Sequence, residues 1–443
     1  MTKSKRTLSA EPITTTITSL SHDGRGIGNH LGKTAFINGA LPQETVTFKM
    51  TKKHSRYFEG DLIDIISASP DRIKPGCEHF GVCGGCSMQH LQMAAQINFK
   101  QNTLLEQLRH FGRVEPEVIL PPISANEWGY RRKARLGVRY VEKKGKLLVG
   151  FREKASRYLA DITACPVLHA SVGTRLTDLN QLISSLIQFE HIPQVEVAVG
   201  DSTTALVFRH MAELPEADLE KLRQFGKDFG FHIYLQPNTP LPITKLWPED
   251  QNVFLTYALT DYDLEMQFYP LDFTQVNGSV NPLMIKQALA LLDPQAEDTI
   301  LDLFCGLGNF TLPLARHAKF VTGVEGSQDM VERATMNAEK NNLSNTAFFA
   351  ANLAEIPLAK PSWMKAQYDK ILIDPPRTGA KEILPLFPAF GARKIVYVSC
   401  NPATLARDAG ELVNQQGYKL KKAGVINMFP HTSHIEAIAL FEK

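Results

Sequence analysis

Two different periodicities of apolar and polar residues divide the chain. From about residue 10 to 70, short runs alternate apolar and polar positions between glycines and prolines, which predicts a small β-barrel. From 271 to 443, apolar runs of strand length alternate with helical patterns, which predicts an open, mainly parallel, doubly wound sheet. The predicted strands of this last part are TILDLF, FVTGVE, AFFAAN, YDKILIDPP, KIVYVSC, GVINMF and IEAIALF.

The middle part of the chain mixes helical and strand patterns. A helix is predicted from Met88 to Phe111, and a strongly basic segment follows it. Residues 127–160 carry 11 Lys and Arg against 3 Asp and Glu, and these charges alternate with apolar and aromatic positions. This pattern predicts a β-hairpin with one buried face and one basic face that suits RNA. Its apolar positions are Tyr130, Leu136, Val138, Tyr140 and Val149.

Length and composition fit a globular protein of several domains. From the length of 443 residues we predict three domains, at 1–70, 71–270 and 271–443. A hydrophobic content of 44% and a charged content of 21% exclude a disordered chain, a collagen and a coiled coil. The net charge of +2 neither indicates nor excludes nucleic acid, because charge can be segregated by region.

The distribution of apolar residues also bears on location. No apolar run approaches the roughly 18 residues that cross a bilayer, and the basic N-terminus lacks the apolar stretch of a signal peptide. We therefore expect no membrane partner and a cytoplasmic location. In that reducing compartment the six cysteines are not expected to form disulfides.

A glycine-containing turn in the third part indicates a cofactor site. The segment LDLFCGLGNFTLPLA places Gly306 and Gly308 where a strand gives way to a helix, so the backbone can approach a ligand there. Glu325 ends the next predicted strand, where a carboxylate can accept both ribose hydroxyls of an adenosine. The loop lacks the Lys-Ser/Thr of a P-loop and the third glycine of a dinucleotide fingerprint. Together with Asp374-Pro375-Pro376-Arg377, it fits S-adenosylmethionine better than NAD.

Candidate chemistry lies at the ends of the later strands. Cys400 is the last residue of the predicted strand KIVYVSC, and Glu436 is the second residue of the predicted strand IEAIALF. Such a pair meets the needs of uracil C5 methylation, because a thiolate adding to C6 activates C5 and a carboxylate then removes the C5 proton. Exocyclic amine methylation typically has an aromatic residue where Arg377 stands. Cytosine C5 methylation of RNA usually uses two cysteines, and Cys305 lies apart in the cofactor loop.

Four further cysteines have the spacing of a metal site. Cys77, Cys83 and Cys86 lie in the glycine-containing loop CEHFGVCGGC, and Cys165 follows later. Four thiolates suit either tetrahedral zinc or an iron–sulfur cluster, and the spacing does not choose between them. Nearby histidines offer alternative ligands, although four cysteines suffice. They are His79, His90 and His169.

These motifs together resemble the bacterial 23S ribosomal RNA (uracil-5-)-methyltransferases of the RumA/RlmD type. The resemblance covers essentially the whole chain and rests on DLFCGLGNF, IDPPR, SCNPATLARD, HTSHIEAIALF and the cysteine set. It implies an N-terminal OB-like TRAM barrel that binds RNA, a mixed α+β central domain and a C-terminal Rossmann-like, S-adenosylmethionine-dependent methyltransferase domain. The resemblance also implies a [4Fe–4S] cluster on Cys77, Cys83, Cys86 and Cys165.

The resemblance assigns roles to individual residues as well. It implies that Cys400 is the nucleophile and Glu436 the proton acceptor, with 23S ribosomal RNA as the partner and no obligate protein partner. One position departs from the expected pattern, because FTQVN has Thr274 where a second aromatic residue is expected. The residues implied to line the cofactor pocket are Gln275, Phe304, Asn309, Glu325, Asn352 and Asp374.

Other functions stay open at this point. The target uridine could lie elsewhere in ribosomal RNA or in tRNA, although the TRAM barrel and the cysteine cluster favour ribosomal RNA. A degenerate methyltransferase fold could serve as a non-catalytic RNA-binding or ribosome-assembly module. A radical S-adenosylmethionine enzyme fits less well, because the first cysteine gap is five residues and a fourth cysteine is available.

Overall fold

The N-terminal unit is a curled six-stranded sheet. The computed structural model describes residues 11–238, 242–355 and 361–443, so the first ten residues of the predicted domain 1–70 lie outside it. The sheet order is β1-β5-β6-β4-β3-β2. Its strands are β1 (Ile13–Thr16), β2 (Ser19–Leu20), β3 (Gly26–His30), β4 (Lys33–Asn38), β5 (Thr45–Lys53) and β6 (Tyr57–Ser67).

Side-chain alternation makes this sheet curl around its own core. On β5, Val46, Phe48 and Met50 are buried and the residues between them face outward, as a strand with one covered face requires. At the other end of the strand order, Asn29 on β3 donates its backbone N–H to Thr15 on β1 at 3.2 Å. The sheet therefore returns on itself, which confirms the predicted barrel-like N-terminal unit.

The central region contains a second six-stranded sheet, in the order β13-β12-β11-β10-β8-β9. Its pairings are antiparallel except for β11 with β12. The elements of this region are α1 (Met93–Gln107), which continues as a π-helical turn (Leu108–Gly112), β7 (Val118–Ile119), β8 (Lys133–Val141), a 3-10 turn (Glu142–Lys144), β9 (Lys146–Gly150), α2 (Ala170–Gly173), α3 (Leu176–Ser185), a 3-10 turn (Phe189–His191), β10 (Gln194–Val199), β11 (Thr204–His210), α4 (Glu216–Phe229), β12 (Phe231–Pro237), β13 (Thr244–Trp247), β14 (Leu255–Leu259), a 3-10 turn (Thr260–Tyr262) and β15 (Leu264–Phe268).

The predicted basic hairpin is formed by β8 and β9, which pair antiparallel. Leu136 and Val138 face the core, whereas Arg135 and Arg139 are exposed on the opposite face. Tyr140 differs from the expectation of a buried position, because it is 37% exposed and lies edge-on to a phenylalanine ring. Part of the basic face is neutralised, since Arg135 pairs with a glutamate on β10.

The C-terminal unit is an eight-stranded sheet in the order β18-β17-β16-β19-β20-β22-β21-β7. Strands β16 to β20 run parallel, and β22 is antiparallel to both of its neighbours. Its elements are α5 (Asn281–Leu292), β16 (Thr299–Leu303), α6 (Thr311–Ala315), β17 (Phe320–Glu325), α7 (Gln328–Lys340), β18 (Thr346–Ala350), α8 (Ser362–Lys365), β19 (Lys370–Ile373), a 3-10 turn (Leu384–Leu386), α9 (Phe387–Phe390), β20 (Lys394–Ser399), α10 (Pro402–Asn414), β21 (Lys419–Ile426) and β22 (Glu436–Glu442).

This sheet is covered on both faces, as a parallel sheet requires. On β16, Leu301 and Leu303 belong to one apolar core and Ile300 belongs to the other, because successive side chains point to opposite faces. Each of these three side chains is fully buried, which contributes about 1.5–3 kcal/mol per residue. All seven predicted strands of the third region are present.

Two elements of the predicted central region join the C-terminal unit in space. Helix α1 packs against α10 and β21, and Leu104 and Leu108 lie in the core beneath that sheet. Strand β7 adds a parallel strand at the β21 edge. The predicted helix 88–111 is thus present from Met93 onward, with its last turn π-helical.

An ion pair joins the N-terminal unit to the segment that follows β6. Glu44 is fully buried, and its carboxylate accepts two hydrogen bonds from the Arg72 guanidinium at 2.5 and 2.8 Å. A small apolar cluster of Leu41, Met88 and Leu91 lies beside it. Across the described ranges, we find no helix with the length and apolar character that a membrane span needs.

Candidate active site

Cys400 and Glu436 are brought together by the register of two strands. Strands β20 and β22 pair antiparallel, and Ser399 lies opposite Ala437. One further step along that register places Cys400 opposite Glu436, where side chains are neighbours across the pair. Asn401 then caps α10 by accepting the backbone N–H of Ala403 at 3.1 Å. The cysteine is thereby held between a strand end and a helix start.

Asp374 and Gln275 lie at the same edge of the sheet. Asp374 directly follows β19, the parallel neighbour of β20, so its position is next to the end of the strand that leads to Cys400. The side-chain amide of Gln275 donates to Asp374 Oδ2 at 3.4 Å. Gln275 and Asp374 therefore lie beside the strand end that leads to Cys400.

Burial and electrostatic repulsion shift the pKa values of the carboxyl groups of Glu436 and Asp374. Burial, followed by the charge of Asp374, raises the pKa of Glu436 well above its usual range, and the Arg377 guanidinium opposes this rise. Burial also raises the pKa of Asp374, to about 7. Two buried carboxyls that repel each other do not both ionise readily. The hydrogen bond from Gln275 favours the ionised form of Asp374.

The Cys400 thiol is held in its protonated form in the free protein. Burial, followed by the charges of Glu436 and Asp374, raises its pKa to about 11, and Arg377 counteracts this. A thiol is a nucleophile only as the thiolate. Additional positive charge near Arg377 and Asp374 would therefore activate Cys400, whereas a second ionised carboxylate would suppress it.

A tight turn follows β16 and forms the candidate cofactor loop. Phe304 adopts a left-handed backbone with φ of 63°, and Gly308 has φ of 94°. A Cβ atom at Gly308 would lie 2.4 Å from a leucine side chain of the following helix, so only glycine fits there. The backbone N–H of Phe304 is tied to Val324 on β17 at 2.8 Å. The loop is consequently fixed against the neighbouring strand.

Glu325 ends β17 beside this loop, as predicted. Its carboxylate accepts backbone N–H groups of Gly306 at 3.1 Å, Gly326 at 2.8 Å and Ser327 at 3.2 Å. These three bonds fix the orientation of the carboxylate. They also connect the two loops between which a nucleoside would have to lie.

The two predicted asparagines occupy different environments. The amide of Asn309 is shared between the Tyr257 hydroxyl, which donates to its oxygen at 2.9 Å, and Asn281, with which it exchanges two hydrogen bonds. This network ties the cofactor loop to the β14–β15 hairpin. Asn352 lies after β18 and is exposed, and its side-chain oxygen accepts the backbone N–H of Ala354 at 3.1 Å.

Asp302 is a candidate site residue that the sequence analysis missed. It is fully buried on β16, and the Thr311 hydroxyl donates to one of its oxygens at 2.5 Å. The other oxygen has no hydrogen-bond partner among the described residues. Burial, followed by repulsion from Asp374 and Glu325, raises its pKa to about 8. A charged residue inside the apolar strand TILDLF was the signal that could have identified it.

The four cysteines of the predicted metal site line one cavity of about 260 Å³. Burial, followed by the neighbouring thiols, raises the pKa of Cys86 to about 12. The backbone N–H of Gly85 donates to the sulfur of Cys83 at 3.4 Å. The cavity also reaches the segment that leads to Glu436. Its lining also includes Tyr130, Arg131, Thr432 and His434.

The histidines considered as alternative ligands have other contacts. His79 pairs with Thr163 at 3.1 Å, and His169 pairs with Ser171 at 2.9 Å. His90 packs against the ring of Phe80. In the described part of the chain, no three His, Cys, Asp or Glu side chains lie close enough to share a single metal ion.

Comparisons with known proteins agree with this architecture. The sequence pattern of the tRNA (Uracil-5-)-methyltransferase family matches residues 92–443, and that of the TRAM domain matches residues 11–63. The solved structure of a Pyrococcus abyssi tRNA (uracil-54, C5)-methyltransferase in complex with S-adenosyl-L-homocysteine covers 97% of this chain and 100% of its own, with a TM-score of 0.74 and 23% identity. At that identity the likeness concerns the fold, and it confirms the predicted fold class.

Two curated relatives match along their whole length. The 23S rRNA (uracil(1939)-C(5))-methyltransferase RlmD of Hahella chejuensis is 54% identical over 448 residues, with 100% of both chains covered. The protein of the same name from Alcanivorax borkumensis is 50% identical over 443 residues, with 100% of this chain and 99% of the relative covered. The resemblance inferred from the motifs is thus confirmed, and the chain belongs to the RNA (uracil-5-)-methyltransferase family.

Proposed function

We propose that this enzyme methylates C5 of a uridine in 23S ribosomal RNA, with S-adenosylmethionine as the methyl donor. The observation that carries the proposal is the placement of Cys400 opposite Glu436, beside Asp374 and next to the cofactor loop. The relatives of half or more identity over the whole chain are named as 23S rRNA uracil C5 methyltransferases. They support ribosomal RNA over tRNA as the substrate.

Cys400 acts as the nucleophile in this proposal. It reacts as the thiolate, whose sulfur forms a bond to C6 of the uracil while the electrons of the C5–C6 double bond move to form an enolate. S-adenosylmethionine, when bound, supplies an electrophilic methyl group for C5. Glu436 then takes the proton from C5, the double bond re-forms, and the bond between C6 and the sulfur breaks. The cysteine leaves as a thiolate.

The neighbouring groups control when each step is possible. Glu436 acts as a base only in its ionised form, and Arg377 favours that form because it lowers the pKa of this carboxyl. Asp374 and Gln275, joined at 3.4 Å, are placed to contact the uracil edge. A base inside folded RNA must leave its stack to reach Cys400 and Glu436.

The proposed cofactor residues form an acidic pocket. Asp302 is repelled by Asp374 and Glu325, and one of its oxygens has no partner among the described residues. An unpaired acidic cluster of this kind fits a ligand that carries positive charge, as the sulfonium and ammonium of S-adenosylmethionine do. The further residues assigned to this pocket are Gln275, Phe304, Asn309 and Asn352.

We assign Cys77, Cys83, Cys86 and Cys165 as ligands of a [4Fe–4S] cluster. All four line one cavity, which supports a shared group. The resemblance of this cysteine set to that of the RumA/RlmD-type enzymes, rather than its spacing, favours a cluster over zinc. A cluster at this site is structural in our proposal, because methyl transfer needs no electron.

The N-terminal sheet and the basic hairpin are the proposed RNA-binding surfaces. The match to the TRAM pattern at 11–63 supports the first, and the exposed arginines of β8 support the second. We keep 1–70, 71–270 and 271–443 as the proposed domain boundaries, with α1 and β7 docked on the last domain. Because the substrate is ribosomal, we place the enzyme's action in the cytoplasm and expect it to act as a monomer.

The test is transfer of labelled methyl groups to unmodified 23S ribosomal RNA and to unmodified tRNA, followed by nucleoside analysis. Label in 5-methyluridine from 23S ribosomal RNA alone is the expected result, and label in tRNA would overturn the substrate assignment. Cys400→Ala should abolish the covalent adduct with 5-fluorouridine RNA. Glu436→Gln should form an adduct with ordinary RNA and retain it, and normal turnover by that variant would refute its role as the base.

A further inference from the structure

Helix α1 buries two polar side chains for which the proposed chemistry gives no role. Gln96 and Lys100 are fully buried, and because they are four positions apart they lie on the same helix face. Lys100 Nζ donates to Asn427 Oδ1 at 2.8 Å and to the backbone oxygen of Phe429 at 2.9 Å. Gln96 Oε1 accepts the backbone N–H of His431 at 2.9 Å. All three bonds reach the connection between β21 and β22.

The burial of Lys100 is energetically unfavourable by itself. It forms no salt bridge within residues 11–238, 242–355 and 361–443, and burial lowers its pKa to about 7. A buried ammonium without a carboxylate partner costs stability unless hydrogen bonds compensate for the lost water. The two oxygens of the β21–β22 connection are the groups that compensate here. Lys100 therefore contributes to the geometry of the β21–β22 connection.

The connection leads directly to the proposed base. It covers 427–435, and Glu436 is the next residue, at the start of β22. On its far side, the backbone oxygen of His431 accepts N–H groups of Ser87 and Met88 at 3.0 and 2.9 Å, and the Tyr130 hydroxyl donates to Pro430 at 3.1 Å. The connection is therefore held from two sides, and α1 supplies one of them.

We propose that Lys100 is a positioning residue for Glu436, which it places by fixing the β21–β22 connection. This inference rests on the proposed function. Lys100 acts through geometry rather than charge, because the causes that shift the pKa of Glu436 are burial, Asp374 and Arg377. Loosening the connection should therefore impair removal of the C5 proton more than the earlier addition of Cys400.

The experiment separates these two steps with Lys100→Met. Methionine keeps an unbranched side chain, one atom shorter than that of lysine, but donates no hydrogen bond. With 5-fluorouridine RNA, adduct formation requires Cys400 addition and methyl transfer, and no C5 proton is present for Glu436 to remove. We expect that rate to stay within about threefold of the unmodified enzyme. Turnover on ordinary RNA should fall about 30- to 100-fold, the scale of a small misplacement of a reacting group, and a covalent RNA complex should accumulate.

Matched variants make the result specific to the connection. Thr103→Val alters the same helix, but the Thr103 hydroxyl donates to Phe99 within the helix at 2.8 Å, so the ratio of the two rates should not change. Asn427→Leu removes one acceptor of Lys100 and should change the ratio in the same direction. The double variant of Lys100 and Asn427 should be no worse than Lys100→Met. If Lys100→Met does not fold, Asn427→Leu decides the question.

Two outcomes would overturn the inference while leaving the proposed function intact. One is an equal fall in adduct formation and turnover, which indicates a general structural role. The other is an unchanged ratio of the two rates in both Lys100→Met and Asn427→Leu. Failure of the proposed function itself is distinguishable, because then the unmodified enzyme forms no adduct with 5-fluorouridine RNA and Glu436→Gln traps none.

Discussion

The reactivity of Cys400 in the free protein provides a quantitative prediction. Its pKa is raised from 9.0 to about 11 by burial and by the charges of Glu436 and Asp374. Two pKa units correspond to roughly 3 kcal/mol. At pH 8 an ordinary thiol of pKa 9.0 is about 10% thiolate, whereas Cys400 should be about 0.1% thiolate. Alkylation at pH 8 should therefore be about 100-fold slower than for an unperturbed cysteine.

Iodoacetamide labelling measured between pH 7 and pH 10 tests this prediction. Mass spectrometry of the digested protein isolates the Cys400 peptide from the other five cysteines, and a synthetic peptide of residues 396–404 provides the unperturbed reference. The rate for the folded protein should rise about tenfold per pH unit without a plateau across this range. A plateau near pH 9, as in the peptide, would refute the claim that burial and the two carboxyls protect the thiol.

The contribution of Arg377 can be measured in the same assay. Arg377 lowers the pKa of Cys400, so Arg377→Met should raise that pKa further and slow alkylation at pH 9 by several-fold. Arg393→Met is the matched control, because Arg393 is exposed and precedes β20 at the opposite end of the strand. Equal effects of the two variants would show that the thiol responds to overall charge rather than to its neighbour.

Three further predictions concern the cofactor loop and the cysteine cavity. Burial raises the pKa of Asp302 to about 8, so the folded protein binds this proton more tightly than the unfolded chain and loses stability as pH rises from about 4 towards 8. In calorimetry, the Tm of Asp302→Asn relative to that of the unmodified protein should therefore rise by several degrees between pH 5 and pH 9. A Tm difference that stays constant with pH would contradict this prediction. Gly308→Ala should lower the free energy of unfolding by about 1–3 kcal/mol and weaken S-adenosylhomocysteine binding in calorimetry, because the φ of Gly308 is 94° and the added Cβ would lie 2.4 Å from a side chain. Gly306→Ala should cost less, because the nearest described atom to its added Cβ lies at 3.8 Å. Cys83→Ser should remove visible cluster absorbance and bound iron, whereas Cys305→Ser should retain both, and iron retention by the first variant would disprove the ligand assignment.

Much of the fold could be predicted from the sequence, because the pattern of apolar residues coincides with the side chains that the structure buries. The strands of the C-terminal sheet are covered on both faces, so their residues form continuous apolar runs that stand out from the helices. The basic hairpin was also predictable, since β8 alternates buried and exposed positions. Tyr140 departed from that pattern because an aromatic side chain near a strand end can pack against a neighbouring ring while remaining partly exposed.

The candidate site was less accessible, since its properties depend on contacts between distant segments. Cys400 and Glu436 are opposite each other only through the register of β20 and β22, and the connection between β21 and β22 has no periodic pattern. The role inferred for Lys100 depends on a helix more than 300 positions away from the segment it binds. A lysine within a helical pattern indicates a solvated face, and tertiary burial reverses that expectation here.

The shifted pKa values of the site arise because its residues lie at the edge of a sheet that is covered on both faces. Each carboxyl that the strands bring to this edge loses water, and the pKa values of Asp302 and Asp374 rise accordingly, to about 8 and about 7. The burial that suppresses ionisation of the Cys400 thiol therefore also leaves the carboxylates without full compensation for the water that they lose. A positively charged ligand in this pocket would stabilise the carboxylates and the thiolate together. We therefore expect cofactor binding and nucleophile activation to be coupled through one set of buried charges, with Cys400 least reactive when no methyl donor is present.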